Sequence, residues 1–313
     1  MTKPEILLMQ PLIEPIEAAL DASYRVHRPD RAKDRETFLT AVAPSVRAVV
    51  TGGGLGASRQ LMTRLPALEI VAVNGVGTDA VDLEYARSHS IRVTTTPDVL
   101  TEDVADLAIG LMLATSRRIC AGDSFVREGR WRAGAMPLAH KVSRKRLGIV
   151  GLGRIGRAVA QRAVGFAMEI SYTDLAPVAG VPYRFVAGLV QLALNTDFLV
   201  ITASGGPQSA SVVNKAVLDA LGPKGILVNV ARGSVVDEAA LVAALIDGSL
   251  GGAGLDVYAR EPHVPEALFR LENVVLQPHQ ASATVETRLA MGELVLANLA
   301  AHFAGKEPPA AVV

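Results

Sequence analysis

Short apolar runs alternate along this chain with stretches whose apolar residues recur every three to four positions. The runs at 6–9, 24–27, 48–51, 70–73 and 91–94 have the length and composition of strands. Between them, 14–20, 58–65 and 79–88 carry helical spacing. Segment 21–46 is polar and gives no clear period. Such alternation predicts an α/β fold, a parallel sheet with helices on both faces. After Pro97 a long helix is predicted over 101–118, with Glu102 and Asp103 in its first turn and Arg117 and Arg118 in its last, as the helix dipole favours. Its apolar residues, among them Leu107, Ile109, Leu111, Met112 and Leu113, exceed one stripe. That predicts burial between domains or against another subunit. Segment 129–145, which holds the only tryptophan, Trp131, reads as a connecting loop. Strand-like runs resume at 147–150, 169–172, 198–202, 226–229, 254–257 and 274–277, and a helix over 284–303 closes the chain. Two doubly wound parallel sheets are expected.

The stretch LGIVGLGRIGRAVAQRAVGFAMEISYTD, residues 147–174, carries the strongest signal. Its opening run has the unbroken apolar character of a parallel strand buried on both faces. Gly151, Gly153 and Gly156 follow at first, third and sixth place, and Ile155, Val159, Ala163 and Phe166 then recur at helical spacing. Gly151 permits the tight turn, Gly153 lets the backbone approach a pyrophosphate, and Gly156 lets the helix pack closely on the strand. The helix N-terminus offers N–H groups and a positive dipole end to phosphates. Asp174, about 20 residues on, ends the next strand, where a carboxylate can accept ribose hydroxyls. Strand, glycines, helix and acid in this order predict a dinucleotide site.

Composition narrows the partners. Lys plus Arg and Asp plus Glu number 31 each. With no net charge and no basic run, nothing points to nucleic acid or an anionic membrane. The single cysteine, Cys120, excludes an intramolecular disulfide and a cysteine-based zinc cluster. In an apolar helix it is expected to be a small core residue. The N-terminal stretch carries acids and prolines, unlike a signal peptide. No apolar run approaches the roughly 20 residues of a spanning helix. A soluble, cytoplasmic protein acting on a small molecule, without a metal, is expected.

Candidate chemistry gathers at strand ends, where open α/β sheets bind ligands. Glycine-rich turns follow two strands of the first half, at 52–54 and 75–78. The N–H groups of Val76 and Gly77 can hold a small carboxylate; equally, such turns can simply need positive φ. In the second half Arg232 follows run 226–229, Glu261 follows 254–257 and His279 follows 274–277. Arg232 can grip a carboxylate through two parallel hydrogen bonds and polarise the adjacent carbonyl. His279 can deliver a proton to a developing alkoxide. Glu261 beside it favours imidazolium and is expected to raise its pKa. Beside a dinucleotide, these three residues suggest proton-coupled hydride transfer to a 2-keto acid. Asp256 suits either the nicotinamide carboxamide or a helix end.

The segments GLGRIG, NVARGSVVDEAAL, GAGLDVYAREP and PHQASATVETR resemble the D-isomer-specific 2-hydroxyacid dehydrogenases, as do NGVGTDAVDLEYA and TPDVLTEDVADLAIGLMLA in the first half. The resemblance spans nearly the whole chain and is strongest to the glyoxylate/hydroxypyruvate reductase branch, including the plant hydroxyphenylpyruvate type. It implies a Rossmann cofactor domain, 99–284, inserted into a flavodoxin-like substrate domain formed by 1–98 and 285–313. It implies a cleft between the domains and a homodimer built on the cofactor domains. Arg232 is then the catalytic substrate-binding residue, His279 the acid/base and Glu261 its partner, with the Val76 and Gly77 amides on the substrate carboxylate. Cofactor contacts are implied at Gly151, Gly153, Arg154, Ile155, Gly156, Asp174, Thr202, Val230 and Asp256. Trp131 either anchors its loop or reaches the site of a partner subunit.

Two departures from the family pattern matter. Thr202-Ala203-Ser204-Gly205-Gly206 stands where many relatives have Cys-Pro-Leu-Thr or similar, in a loop lying over the cofactor. Asp174 and Leu175 stand where NADP-using reductases of the branch often carry a small residue and then Arg. A carboxylate repels a 2′-phosphate, so NAD(H) is favoured over NADP(H), with Arg154 and Arg184 as the nearby cations able to alter this. The expected activity is NAD(P)H-dependent reduction of glyoxylate or hydroxypyruvate to the D-2-hydroxy acid. The alternatives are a reductase of a larger acid such as hydroxyphenylpyruvate, or a dinucleotide-sensing binding protein like the corepressors on this fold. Phosphoglycerate dehydrogenase is disfavoured because no regulatory domain follows residue 313, and formate dehydrogenase because that branch lacks an acid like Glu261.

Overall fold

The structure, a computed structural model, describes residues 3–313. Elements run β1 (Glu5–Leu8), α1 (Glu14–Ser23), β2 (Arg25–His27), α2 (Arg35–Val42), β3 (Val46–Gly52), α3 (Arg59–Thr63), β4 (Ile70–Asn74), α4 (Leu83–Ser88), β5 (Arg92–Thr94) and α5 (Thr101–Ser116). There follow α6 (Ile119–Arg127), β6 (Arg146–Val150), α7 (Arg154–Val164), β7 (Glu169–Thr173), β8 (Arg184–Phe185), α8 (Leu189–Leu194) and β9 (Phe198–Ile201). The chain ends with α9 (Lys215–Leu221), β10 (Ile226–Asn229), α10 (Glu238–Asp247), β11 (Gly252–Leu255), β12 (Val274–Leu276) and α11 (Val285–Phe303). Two compact units form, Met1–Leu100 with Ala283–Val313, and Thr101–Ser282. These breaks lie two residues from the 98/99 and 284/285 positions suggested by the sequence.

In the first unit the strands are all parallel, in the order β2-β1-β3-β4-β5. This is the flavodoxin-like order. Side chains alternate across the sheet, as the strand period of two requires. Leu7, Val49, Val71, Val73 and Val93 pack on one face with Leu39, Met62 and Ala86 from the helices. Ile6, Leu8, Ala48, Val50, Ile70 and Ala72 pack on the other with Ile16 and Leu20 of α1 and Val295 and Leu299 of α11. A Cβ on Gly292 would lie 2.3 Å from Ile16 Cγ1, so glycine is what lets α11 lie against α1. Asp82 caps α4 by accepting from Tyr85 N at 2.8 Å. The helix therefore starts at Leu83, and 79–82 is a turn, a bridge from Val81 to Ala57 and the cap residue rather than the helical segment its pattern suggested.

The second unit holds seven parallel strands in the order β12-β11-β10-β9-β6-β7-β8. Counted from β6, this is the Rossmann order with one added strand, and it reverses between β6 and β9. Helix α5 ends at Ser116, not Arg118, because Arg118 takes a left-handed backbone (φ 53°) and α6 begins beyond it. Its wide apolar face was expected to meet another domain or subunit. Instead, its buried residues lie against α7, β10, β11 and β12 of its own unit. The strand beneath it is made of small residues for that reason: a Cβ on Gly254 would lie 2.9 Å from Leu111 Cβ. β11 consequently starts two residues before the expected run. Cys120 is exposed on α6, a helix with no buried residue, so it is not the core residue expected. Trp131 is 70% exposed, which removes the loop-anchor alternative. Among the described residues no helix is long and apolar enough to cross a membrane, and no group of three or more His, Cys, Asp or Glu is placed to hold a metal.

Candidate active site

The glycine fingerprint lies at the switch point of the second sheet, beyond the ends of β6 and β9. Gly151 has φ 89°, and a Cβ there would sit 2.7 Å from Ala203 Cα. A Cβ on Gly156 would sit 2.2 Å from the Gly151 carbonyl oxygen. Both positions therefore demand glycine for packing. Gly153 differs: its backbone is extended, and nothing lies within 4 Å of the point where a Cβ would stand. The space over Gly153 is open at the N-terminus of α7, and no side chain caps that helix. Uncapped N–H groups beside an open glycine form a cradle for a pyrophosphate.

Asp174 and Thr202 brace this cradle. Asp174 accepts from Leu152 N at 2.8 Å and from Leu175 N at 2.7 Å. Thr202 Oγ1 donates to the Gly151 carbonyl at 2.6 Å. Arg154 and Ile155 open α7, Arg154 exposed and Ile155 partly so, while Val230 is buried just past β10. The residues present thus fit a nicotinamide dinucleotide: Gly151 to Gly156 would hold the phosphates and Asp174 the adenosine ribose.

Arg232, Glu261 and His279 all leave the same edge of the sheet, past β10, β11 and β12. His279 Nδ1 is 2.7 Å from Glu261 Oε2, which leaves Nε2 for a substrate. Burial pushes the Glu261 carboxyl up. The His279 hydrogen bond and charge, the Tyr258 N–H and the Arg232 charge outweigh it and hold Glu261 below the ordinary carboxylate range. The three expected residues therefore share one electrostatic neighbourhood.

Four residues absent from the sequence-based expectation build this edge. Asn229 is buried and clamps the turn behind Arg232: its side chain accepts from Ala231 N and donates to the Arg232 carbonyl, both at 3.0 Å. Gly233 lets the backbone at Tyr258 pass, since a Cβ would fall 1.9 Å from Tyr258 C. Tyr258 donates its N–H to Glu261 Oε1 at 3.1 Å and its hydroxyl to the Gln277 carbonyl at 3.0 Å, tying the β11 and β12 ends together. Burial pushes the Tyr258 hydroxyl up to about 12, so it stays a donor. Glu238 accepts from Ala259 N at 2.8 Å.

Asp256 does not cap a helix, because its two backbone donors lie in the turn between β12 and α11. It is fully buried, and its carboxylate accepts from Gln280 N at 2.6 Å and Ala281 N at 3.0 Å, while its carbonyl accepts from His279 N at 2.9 Å. His279 has φ 55°, a left-handed backbone uncommon for a non-glycine residue. Asp256 is the group that holds His279 in this turn. Burial raises its pKa, and the two N–H donors and the His279 charge oppose that. Replacing Asp256 by Asn puts an amide donor against one of the two backbone donors and leaves an oxygen for the other. Expected is a loss of about 2–3 kcal/mol, the scale of hydrogen bonds to a charged group, read as a lower urea midpoint together with reduced turnover. An unchanged midpoint would show that the carboxylate does not hold the turn.

In the first unit, Val76 is 42% exposed in the turn after β4. Neither Val76 nor Gly77 donates a backbone hydrogen bond among the described residues. Positive φ is confined to Gly75 within this turn, so Val76 and Gly77 are not there to supply it.

The NAD-binding domain model of the D-isomer-specific 2-hydroxyacid dehydrogenases matches residues 109–281. The chain is 50% identical to the hydroxyphenylpyruvate reductase of Plectranthus scutellarioides over 301 residues, 96% of each protein. The chain belongs to the D-isomer-specific 2-hydroxyacid dehydrogenases. It is 48% identical to glyoxylate/hydroxypyruvate reductase A of Arabidopsis thaliana, again over 96% of each. A solved NADPH-dependent glyoxylate/hydroxypyruvate reductase from Sinorhizobium meliloti, holding NADP and malonate, superposes with a TM-score of 0.91. It has 41% identity and covers 100% of this chain and 97% of its own. As a member of this dehydrogenase family the protein is an oxidoreductase with a nicotinamide cofactor.

Proposed function

We propose that the protein reduces a small 2-keto acid, glyoxylate or hydroxypyruvate, to the D-2-hydroxy acid. The observation that carries the assignment is the 2.7 Å His279–Glu261 pair with the Arg232 charge acting on it, at the sheet edge of a dinucleotide-binding unit. A bound nicotinamide supplies the hydride. Arg232 orients the keto acid by its carboxylate and polarises the carbonyl. His279 gives its Nε2 proton to the carbonyl oxygen, and Glu261 stabilises the protonated ring. The Val76 and Gly77 amides, which donate no backbone hydrogen bond among the described residues, take the substrate carboxylate. The likeness to a hydroxyphenylpyruvate reductase supports an aryl keto acid as the second reading.

NADH is the preferred reductant. Asp174 already receives two backbone N–H groups beside the fingerprint, and a fixed carboxylate there repels a 2′-phosphate. Catalytic efficiency with NADH should exceed that with NADPH by at least about tenfold, one hydrogen bond's worth of discrimination. A preference for NADPH, as in the Sinorhizobium meliloti enzyme, would overturn this. We also place the protein in a homodimer formed through its second unit. The exposed Trp131 and the exposed Ile119 and Val126 of α6 support that arrangement. Sedimentation at the mass of a single chain contradicts it.

A further inference from the structure

The ladder between β11 and β12 stops one rung before the catalytic turn. Gly254 pairs with Val275 and Leu255 with Leu276, and Gln277 N donates to the Leu255 carbonyl at 2.8 Å. Parallel geometry would next bring Val257 N to the Gln277 carbonyl. Among the described residues no backbone N–H donates to that carbonyl. Pro278 follows and has no N–H of its own. The stretch leading into His279 therefore lacks its next backbone rung. The Tyr258 hydroxyl supplies it, donating to the Gln277 carbonyl at 3.0 Å from a side chain only 6% exposed. Beyond His279 the turn is held by Asp256 instead.

The same residue holds the other half of the pair. Among the described residues Glu261 makes two hydrogen bonds, to His279 Nδ1 through Oε2 at 2.7 Å and to Tyr258 N through Oε1 at 3.1 Å. Tyr258 thus meets Glu261 with its backbone and the strand end before His279 with its side chain. Its backbone in turn passes against Gly233, the neighbour of Arg232. Hydrogen bonds weaken as distance and angle depart from the ideal, so a shift at either end is felt in the 2.7 Å contact. Burial first, and then the Asp256, Glu261 and Glu238 carboxylates, push the Tyr258 hydroxyl up to about 12. It is therefore neutral, and deleting it changes geometry without removing a charge from the site.

We infer that Tyr258 is a positioning residue for the reduction: its hydroxyl and its N–H together set the distance and angle between His279 and Glu261. The inference rests on the proposed function and adds a residue that acts through the acid/base pair. It is tested with Tyr258→Phe, which keeps the buried ring and loses only the hydroxyl. The variant is made in the wild-type and in the Glu261→Gln background. Both are assayed at saturating NADH with whichever of glyoxylate and hydroxypyruvate turns over faster. In the wild-type background kcat should fall about fivefold to tenfold, one hydrogen bond's worth, with KM for the keto acid unmoved. In the Glu261→Gln background the charged pair is already gone. There the same change should lower kcat by less than about twofold, because members of one network are not additive. A purely structural hydroxyl would lower the urea midpoint in both backgrounds and leave kcat of the folded protein alone. An unmoved kcat in Tyr258→Phe, an equal loss in both backgrounds, or a loss carried by KM overturns the inference, while wild-type turnover keeps the proposed function standing. A wild-type protein that reduces no 2-keto acid overturns both.

Discussion

Replacing His279 by alanine will lower kcat for 2-keto acid reduction by about a hundredfold or more, the usual scale of a lost general acid. The change should fall on kcat with KM nearly unmoved, since the ring acts on the reacting oxygen and Arg232 holds the substrate. His279 sits at φ 55°, so backbone strain has to be separated from chemistry. His279→Asn does so, because asparagine tolerates the left-handed region. It should be as inactive as the alanine variant while keeping the wild-type urea midpoint. Glu261 remains anionic below the ordinary carboxylate range, so its pair with His279 persists as the pH falls into mild acid. Near-normal turnover in either variant contradicts the acid role.

Arg232→Ala has the second large effect. Its guanidinium both binds and polarises, so KM should rise and kcat fall together, lowering kcat/KM by about 10²- to 10³-fold, as for loss of one transition-state donor. Arg232→Lys should recover only part of this, because an ammonium keeps the charge and loses the planar two-bond grip. The turn behind Arg232 is held by Asn229 and Gly233, and the guanidinium adds a hydrogen bond to the Ala231 carbonyl at 2.8 Å. Steady-state kinetics that show an unchanged KM contradict the binding role.

Much of this architecture is legible in the sequence because parallel strands buried on both faces leave unbroken apolar runs, as at Leu147 to Val150. The fingerprint is legible because three glycines answer three different steric demands, two of them visible as the 2.7 Å and 2.2 Å clashes a Cβ would make. What escapes is of two kinds. Helix α5 looks like an interface because its apolar face is wide, but the small residues of β11 let it bury that face in its own unit. Helix α6 has an apolar stripe with no buried residue, so the usual inference from stripe to core misplaces Cys120. The second kind is polar. Tyr258 and Asp256 act through hydrogen bonds to backbone far away in the chain, and no local spacing records that. Asp256 is the sharpest case, since its partners Gln280 and Ala281 lie 24 and 25 residues on.

The central claim is enzymatic, and the most direct test is oxidation of NADH against glyoxylate, hydroxypyruvate and hydroxyphenylpyruvate, with the configuration of the products determined. Fast turnover with glyoxylate or hydroxypyruvate, with hydroxypyruvate giving the D-2-hydroxy acid, is the result this account requires. An L product, or tight NADH binding with no turnover of any 2-keto acid, would contradict it.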